Sequence, residues 1–233
     1  KIGREYSEPR FRLLRDEFSS PQMIMTIQGP SVSEVSTFIT EQTDFIIKFF
    51  SDEEINRAAR EFHDEHNIKF AKKVKDMFGC DFYIPVDINK MKIGDNFIWA
   101  SNDALTGIQN IVIYSYPYAT EKVFRRGVYI ALRDSFMKAN IPGGKPNQYM
   151  ATDKNHVDVK NITVRGEFAQ EARGLWHMEN DAMGGPFVAH SMIDTINNRV
   201  IVAEGFVYAP DKMKRTMIRR LEAALYTLRM PGK

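Results

Sequence analysis

Apolar residues recur at helical spacing in two adjoining segments of the N-terminal third of the chain. Both segments, 31–50 and 51–78, open with a serine, Ser31 or Ser51, that is followed three residues later by a glutamate. This is the spacing of a capping box, in which the two side chains satisfy free backbone N–H groups of the first helical turn. Gly79 stands where a helix commonly ends. The pattern therefore predicts one helix in each segment.

Apolar runs of strand length, some continuous and some alternating with polar residues, fill most of the remaining sequence. They predict strands at 22–28, 80–88, 96–101, 110–116, 148–153, 157–164, 165–178, 186–194 and 199–208, and helices at 121–140 and 211–228. Asn197 and Asn198 separate the last two strands, and asparagine tolerates the positive φ of a type I′ hairpin turn. Strands joined by hairpins, with few helices, predict an α+β fold: a largely antiparallel sheet with helices packed on one face.

The N-terminal residues differ in pattern from the rest of the chain. Residues 1–20 are rich in charge and carry little periodicity, so we predict that they form an N-terminal surface arm. No linker rich in Gly, Ser or Pro divides the remaining sequence. Residues 21–233 are therefore predicted to form a single α+β domain, with or without a division into two lobes.

Composition and charge exclude several classes of function. The 32 basic and 30 acidic residues give a net charge of +2, which offers no basic excess for a nucleic acid backbone. No run approaches the roughly 18 apolar residues of a membrane-spanning helix. The single cysteine, Cys80, excludes an intramolecular disulfide and a multi-cysteine metal site, and its position after a predicted helix C-terminus favours an inert thiol. The sequence predicts no cofactor and no nucleic acid partner.

The richest concentration of chemically active side chains lies at 171–186, EARGLWHMENDAMGGP. If this stretch is extended, His177, Glu179 and Asp181 alternate onto one face. An imidazole beside two carboxylates can hold a divalent metal or act as a general base. Arg173 would then bind an anionic group of the substrate. These residues are the candidate site of a metal-assisted or acid/base hydrolase.

The same stretch has a simpler interpretation, which period-two alternation alone favours. Trp176 and Met178 would face the core while the acidic side chains face water. Residues 184–186, Gly-Gly-Pro, would then form the corner to the next strand. A phosphate-binding loop would instead need more glycines that lead into a helix N-terminus, so this corner gives no such prediction.

A row of tyrosines is a second candidate binding surface. Tyr114, Tyr116 and Tyr118 alternate on a predicted strand and therefore share a face. If that face is exposed to water, the rings could bind a carbohydrate or a peptide by stacking. Arg173 and Trp176 are the other candidate binding residues. Core packing is the default for such tyrosines.

Several segments together resemble one known family. They are PQMIMTIQGP, YSYPY, QYMATD, EARGLWHMENDAMGGPFV and RVIVAEGFVYAP. The chain from Ser20 onward resembles an uncharacterised family of predicted exported lipoproteins from gut anaerobic Gram-negative bacteria, a family of unknown function. The resemblance implies a signal peptide that ends in a lipid-bearing cysteine and a lipid-anchored place in the periplasm or outer membrane. Cys80 is in mid-chain and cannot be that cysteine, so the resemblance implies an N-terminally shortened product.

Two functional hypotheses follow. The leading one is a non-enzymatic binding or assembly module of the cell envelope. Its partner would be an envelope protein or a small ligand, and it would meet the membrane only through a lipid anchor outside this chain. The alternative is a hydrolase that uses His177, Glu179 and Asp181. The resemblance implies no catalytic residues, so it does not separate the two hypotheses.

Overall fold

The computed structural model describes residues 6–102, 104 and 107–232, and the chain divides into two compact units. The first unit comprises Lys1–Arg57 and the second comprises Ala58–Lys233. The division falls inside a helix, where no change in composition marks it.

The first unit is built from a two-stranded sheet and two helices. Its elements are β1 (Arg10–Arg15), β2 (Met23–Gln28), α1 (Val32–Glu41) and most of α2 (Thr43–Asp64). The two strands pair antiparallel. Phe11 of β1 packs on Phe38 of α1 and on Phe45 of α2, with ring centroids 4.8 and 5.2 Å apart. The sequence predicts no strand before residue 20, because the arginines of β1 mask its short alternation.

The capping prediction is confirmed for the first helix and wrong for the second. The Ser31 hydroxyl accepts a hydrogen bond from the Glu34 backbone N–H at 3.2 Å and donates one to the Glu34 carboxylate at 2.8 Å. Ser51, in contrast, lies in the middle of α2. A serine–glutamate pair marks a helix start only where the preceding residues are not already helical.

The predicted helix at 51–78 is interrupted, and its second part is α3 (Ile68–Phe78). Asn67 caps α3, since its side chain accepts a hydrogen bond from the Phe70 backbone N–H at 3.0 Å. Gly79 ends α3 in the left-handed conformation with φ of 66°, as predicted.

The second unit contains a seven-stranded antiparallel sheet. After α3 its elements are β3 (Lys90–Gly94), β4 (Phe97–Ser101), β5 (Ile108–Pro117), α4 (Arg126–Asn140), β6 (Met150–Val164), β7 (Glu167–Met178), β8 (Gly184–Asp194), β9 (Arg199–Tyr208) and α5 (Arg215–Leu225). A 3-10 turn at Glu121–Phe124 precedes α4. The strand order is β3-β4-β5-β9-β8-β7-β6. The predicted α+β fold with a largely antiparallel sheet is confirmed.

Helices cover both faces of this sheet, whereas the sequence predicts them on one face. Glu204 of β9 reaches Arg133 of α4. At the next residue, Gly205, an added Cβ would lie 2.6 Å from Leu221 of α5. Successive strand residues point to opposite faces, so α4 and α5 pack on opposite sides. The nearly continuous burial along β9 agrees with a strand that is covered on both faces.

Other strand predictions differ from the structure in detail. Residues 80–88 contain only an isolated bridge, between Asp81 and Arg229. The edge strand β3 is not predicted, because its alternation of lysines with Met91 and Ile93 is too short to indicate a strand. The two strands predicted at 148–153 and 157–164 are one strand, β6, with an irregularity in between. The predicted hairpin between β8 and β9 is confirmed, but its loop comprises residues 195–198. Of the two asparagines, Asn198 alone has a positive φ, of 49°, so the turn is not the predicted type I′ turn.

Two further observations limit the chemistry of the fold. Cys80 is buried, and burial raises the pKa of its thiol to about 12, so the thiol is inert as predicted. Among the residues that the structure describes, no helix is long and apolar enough to cross a membrane.

Candidate functional site

An apolar cavity with a volume of about 490 Å³ opens beside one end of the sheet in the second unit. It lies beyond the C-terminus of α4. Its described lining residues are Lys90, Met91, Lys92, Trp99, Ser101, Ile108, Asn110, Ile141, Pro142, Gly143, Gly144, Met150, Trp176, Met178, Met183, Phe206 and Tyr208. The size and the mainly apolar lining are typical of a small-molecule site.

Trp176 forms part of the floor of the cavity. Its ring packs edge-on against Phe206 with centroids 5.6 Å apart, and the indole N–H donates to the Val207 carbonyl oxygen at 3.3 Å. The predicted core position of Trp176 is therefore confirmed, and Met178 is buried on the same face. The ring position is fixed by a hydrogen bond, so the floor is pre-organised.

Gly185 is the residue that lets β8 pass close to this indole. It lies opposite Trp176 in the strand register. A Cβ at this position would come 2.0 Å from the Val207 carbonyl oxygen, the same oxygen that accepts the hydrogen bond from Trp176. Residues 184–186 belong to β8, so the predicted Gly-Gly-Pro corner is wrong, and Gly185 instead allows close backbone packing behind the cavity.

We expect Gly185→Ala to lower the free energy of unfolding by about 1–2 kcal/mol, because the backbone must shift to admit the methyl group. Urea unfolding followed by tryptophan fluorescence measures the change. Gly144→Ala is the matched control, since nothing lies within 4 Å of a Cβ there. Equal stability of the two variants would contradict the assigned role of Gly185.

The second tryptophan, Trp99 on β4, lines the opposite side of the cavity. Its indole N–H donates to the Asn110 side-chain oxygen at 2.9 Å. Asn110 is buried and is a polar group within a mainly apolar lining. Sequence reasoning missed both residues, because neither stands in a recognisable motif. Only the pairing of β4 with β5 brings them together.

Four methionines, Met91, Met150, Met178 and Met183, contribute flexible thioether side chains to the lining. Methionine is unbranched and polarizable, so such a wall can adjust to apolar ligands of different shape. The cavity therefore combines two fixed aromatic rings with an adaptable wall.

His177 and Glu179 meet in a separate cleft of about 510 Å³ at the edge of the sheet, next to α4. The His177 Nε2 atom lies 3.0 Å from a Glu179 carboxylate oxygen. Asp181 is not part of this contact: its carboxylate accepts hydrogen bonds from the Gln148 amide at 2.9 Å and the Met183 backbone N–H at 3.2 Å. The strand ends at Met178, so the predicted alternation through Asp181 does not extend that far.

No metal site is formed by the candidate residues. Within 6–102, 104 and 107–232, no group of three or more His, Cys, Asp or Glu side chains is arranged to hold a metal ion. The His177–Glu179 pair can orient and polarise an imidazole for proton transfer.

Arg173, predicted to bind an anionic substrate group, is engaged by two carboxylates of the protein itself. It donates to both oxygens of Glu171 at 2.8 Å and also bonds Glu222 of α5. Both glutamates are buried. Burial alone would raise the pKa of Glu171, but the His190 ring, whose Nε2 lies 3.7 Å from the carboxylate, and the hydrogen bonds from Arg173 hold that pKa well below its ordinary value. Arg173 therefore ties β7 to α5.

The tyrosine row is largely buried. It therefore does not form the exposed stacking surface that the sequence analysis considers. Tyr114 is fully buried and stacks on Phe136 with centroids 4.4 Å apart. Tyr116 is also buried, and burial raises the pKa of its phenol to about 12. Tyr118 is half-buried and packs near Phe124. Phe136 of α4 packs against Tyr114 and Tyr116, which confirms core packing for these two rings, whereas Tyr118 lies beyond the end of β5.

The comparisons with known proteins identify families of unknown function. The sequence model of DUF4837, a domain of unknown function, matches residues 67–227. The chain belongs to the DUF4837 family. The whole cavity lining lies within the match to DUF4837. Residues 1–63 match a second domain of unknown function, DUF8532. No curated protein matches the chain.

Three solved structures share a distant likeness with this DUF4837 protein. A protein from Bacteroides thetaiotaomicron has a TM-score of 0.35 at 12% identity, covering 66% of this chain and 46% of that chain. The DUF4837 protein thus spans less than half the length of that neighbour. The Ran-binding protein Mog1p of Saccharomyces cerevisiae has a TM-score of 0.35 at 10% identity, covering 64% of this chain and 84% of that chain. A variant of Mog1 has a TM-score of 0.37 at 9% identity, covering 65% of this chain and 90% of that chain.

Proposed function

We propose that this protein is a non-enzymatic binding module of the cell envelope that takes a small apolar or amphipathic ligand into the cavity between Trp99 and Trp176. The envelope location, through a lipid anchor outside this chain, is supported by the resemblance of its segments to exported lipoproteins. The binding activity is supported by the cavity.

The cavity itself is the observation that carries the proposal. A volume of about 490 Å³ falls within the range of small-ligand sites, and most of the lining is apolar. Burying a ligand against such walls is favourable by roughly 25 cal/mol per Å² of apolar surface. Trp99 and Trp176 are held by hydrogen bonds from their indole N–H groups, so their rings are ordered before a ligand arrives.

A hydrolase that uses His177 and Glu179 is the second candidate function. The 3.0 Å contact between these side chains and their place in a cleft support it. The candidate is weaker because Asp181 is engaged with Gln148, and Arg173 with two buried glutamates. A general base without a positioned substrate group supplies only part of a catalytic site.

The binding proposal predicts that the neutral apolar fluorophore N-phenylnaphthylamine enters the cavity and brightens. The chain contains only two tryptophans, and both line the cavity. Binding should therefore also quench tryptophan emission by energy transfer to the probe. We expect Met183→Glu to weaken probe binding by about tenfold or more, because the bound probe would desolvate a carboxylate.

Met213→Glu is the matched control for this measurement. Met213 is 87% exposed and lies outside the cavity lining, so the same charge change there should leave probe affinity unaltered. The proposal fails if the probe does not brighten with the wild-type protein. It also fails if the two variants bind the probe with equal affinity.

A further inference from the structure

We infer that the ligand of this cavity is a single-chain amphiphile with an anionic head group, an inference that rests on the proposed binding function. The head group would lie at Lys90 and Lys92 on β3. The apolar chain would extend inward between the two tryptophans. The arrangement of strands, the charge of the lining and the position of α4 each support this assignment.

The strand register places the lysines on the cavity face. Residues that lie directly opposite each other on neighbouring strands point to the same face. Lys90 lies opposite Ser101, which lies opposite Asn110, which in turn lies opposite Phe206. A continuous row thus runs from a charged edge, through a buried amide, to an aromatic floor.

The adjacent row has the same polarity. Lys92 lies opposite Trp99, which lies opposite the buried Val112. Two lysines therefore stand at one edge of the cavity, and each row leads inward to a buried apolar residue, Phe206 or Val112. A ligand whose charge is at one end and whose body is apolar matches both rows at once.

The charge of the lining selects an anion. Among the described residues that line the cavity, Lys90 and Lys92 are the ionisable groups of positive charge, and no aspartate or glutamate is present. An anionic head group would be attracted, and a cationic one would meet like charges without a compensating carboxylate.

Lys90 is the better placed of the two lysines for the head group. The Lys92 ammonium lies 3.5 Å from the backbone carbonyl oxygen of Asn140, the last residue of α4. The C-terminus of a helix carries partial negative charge, which Lys92 offsets. Lys92 is therefore engaged in part by the end of α4, while Lys90 lies in the strand row that contains Asn110.

A competition series tests the inference. N-phenylnaphthylamine is displaced from the full chain by decanoate, decanol or decylammonium, which share one alkyl chain and differ in head-group charge. We expect decanoate to bind about tenfold more tightly than decanol, and decylammonium to bind most weakly. Raising the salt concentration should lower the ratio of decanoate affinity to decanol affinity, because salt screens the charges of exposed lysines.

Variants that remove the lysine charges test whether Lys90 and Lys92 cause the preference for decanoate. In the double variant Lys90→Gln/Lys92→Gln, the affinity for decanoate should fall to about the affinity of the same variant for decanol. Lys69→Gln/Lys72→Gln is the matched control, since it removes the same charge from exposed positions of α3 outside the cavity. This control should keep the full preference for decanoate.

The possible failures are distinguishable. If neither the probe nor any of the three amphiphiles binds, the proposed function itself fails, and this inference fails with it. If all three bind equally, or decylammonium binds best, the cavity is a binding site but the anionic head group is overturned. Equal loss of decanoate preference in both lysine double variants would overturn the assignment to Lys90 and Lys92.

Discussion

Replacing Arg133 by methionine is expected to lower the free energy of unfolding of the second unit by about 3–5 kcal/mol. Arg133 and Glu204 are both fully buried, and the guanidinium donates to both carboxylate oxygens, at 2.9 and 2.6 Å. It also donates to Thr152 at 2.8 Å and lies 4.1 Å over the Phe187 ring. Removing it leaves a carboxylate charge buried without its partner.

The titration of Glu204 gives this prediction a second signature. Burial raises the pKa of Glu204 even beside Arg133. Without Arg133 that pKa should rise further, so the folded variant binds a proton more tightly than the unfolded chain. The stability of Arg133→Met should therefore increase as the pH falls through the raised pKa of Glu204.

Urea unfolding followed by tryptophan emission measures this loss, because both tryptophans lie in the second unit. Arg220→Met is the matched control: it removes a bidentate partner of Asp87 at the surface and should cost less than about 1 kcal/mol. Adding Glu204→Leu to Arg133→Met should restore much of the lost stability. A loss in Arg133→Met no larger than in the control would be inconsistent with the buried pair as described.

The sequence predicts the fold class and several local features, because these depend on neighbours along the chain. Alternation marked β4, β5 and β7 to β9, and the Ser31 cap and the Asn198 turn follow from local backbone chemistry. The sequence does not predict the edge strand β3, because its alternating pattern contains only Met91 and Ile93 as apolar residues before Gly94 ends it. Helices on both faces could not be predicted, since the alternation of a strand does not reveal what covers its polar positions.

The candidate site is harder to predict than the fold, because its residues come together from distant parts of the sequence. Trp176 was correctly placed in the core from period-two alternation, but its role as a cavity floor depends on Phe206, 30 residues away in the sequence. The Trp99–Asn110 pair depends on the register of β4 and β5. His177 and Glu179 do meet, as two residues of one stretch can. The sequence pattern of Tyr114 is compatible with either a binding surface or the core, and the packing of Phe136 of α4 on its ring places it in the core.

Arg173 was the least predictable residue of all, because its partner Glu222 comes from α5. Nothing in the sequence near Arg173 signals that helix. The residue therefore looked available for a substrate, although in the structure its guanidinium is shared between two buried carboxylates. The consequence of that sharing is measurable.

Replacing Arg173 by methionine is expected to lower the free energy of unfolding at neutral pH by about 3 kcal/mol. The value is at the lower end for a broken buried pair, because the Arg173 side chain is 40% exposed and Lys160 still contacts Glu171 at 3.1 Å. Two buried glutamates, Glu171 and Glu222, would lose their common cation. Arg165→Met is the control, since that exposed arginine donates to the Tyr226 carbonyl oxygen, at 3.0 Å, and its replacement should cost about 1 kcal/mol or less.

The pH dependence separates a lost ion pair from lost packing. In the wild-type protein the pKa of Glu171 is lower in the folded than in the unfolded state, so its stabilisation is present above the unfolded value of about 4.3. It is lost as the pH falls from there through the lower folded pKa. Arg173→Met raises the folded pKa of Glu171, so its unfolding free energy should fall less between neutral pH and about pH 3 than that of the wild type. Parallel pH profiles for the two proteins would show that Arg173 stabilises the sheet through its aliphatic packing instead.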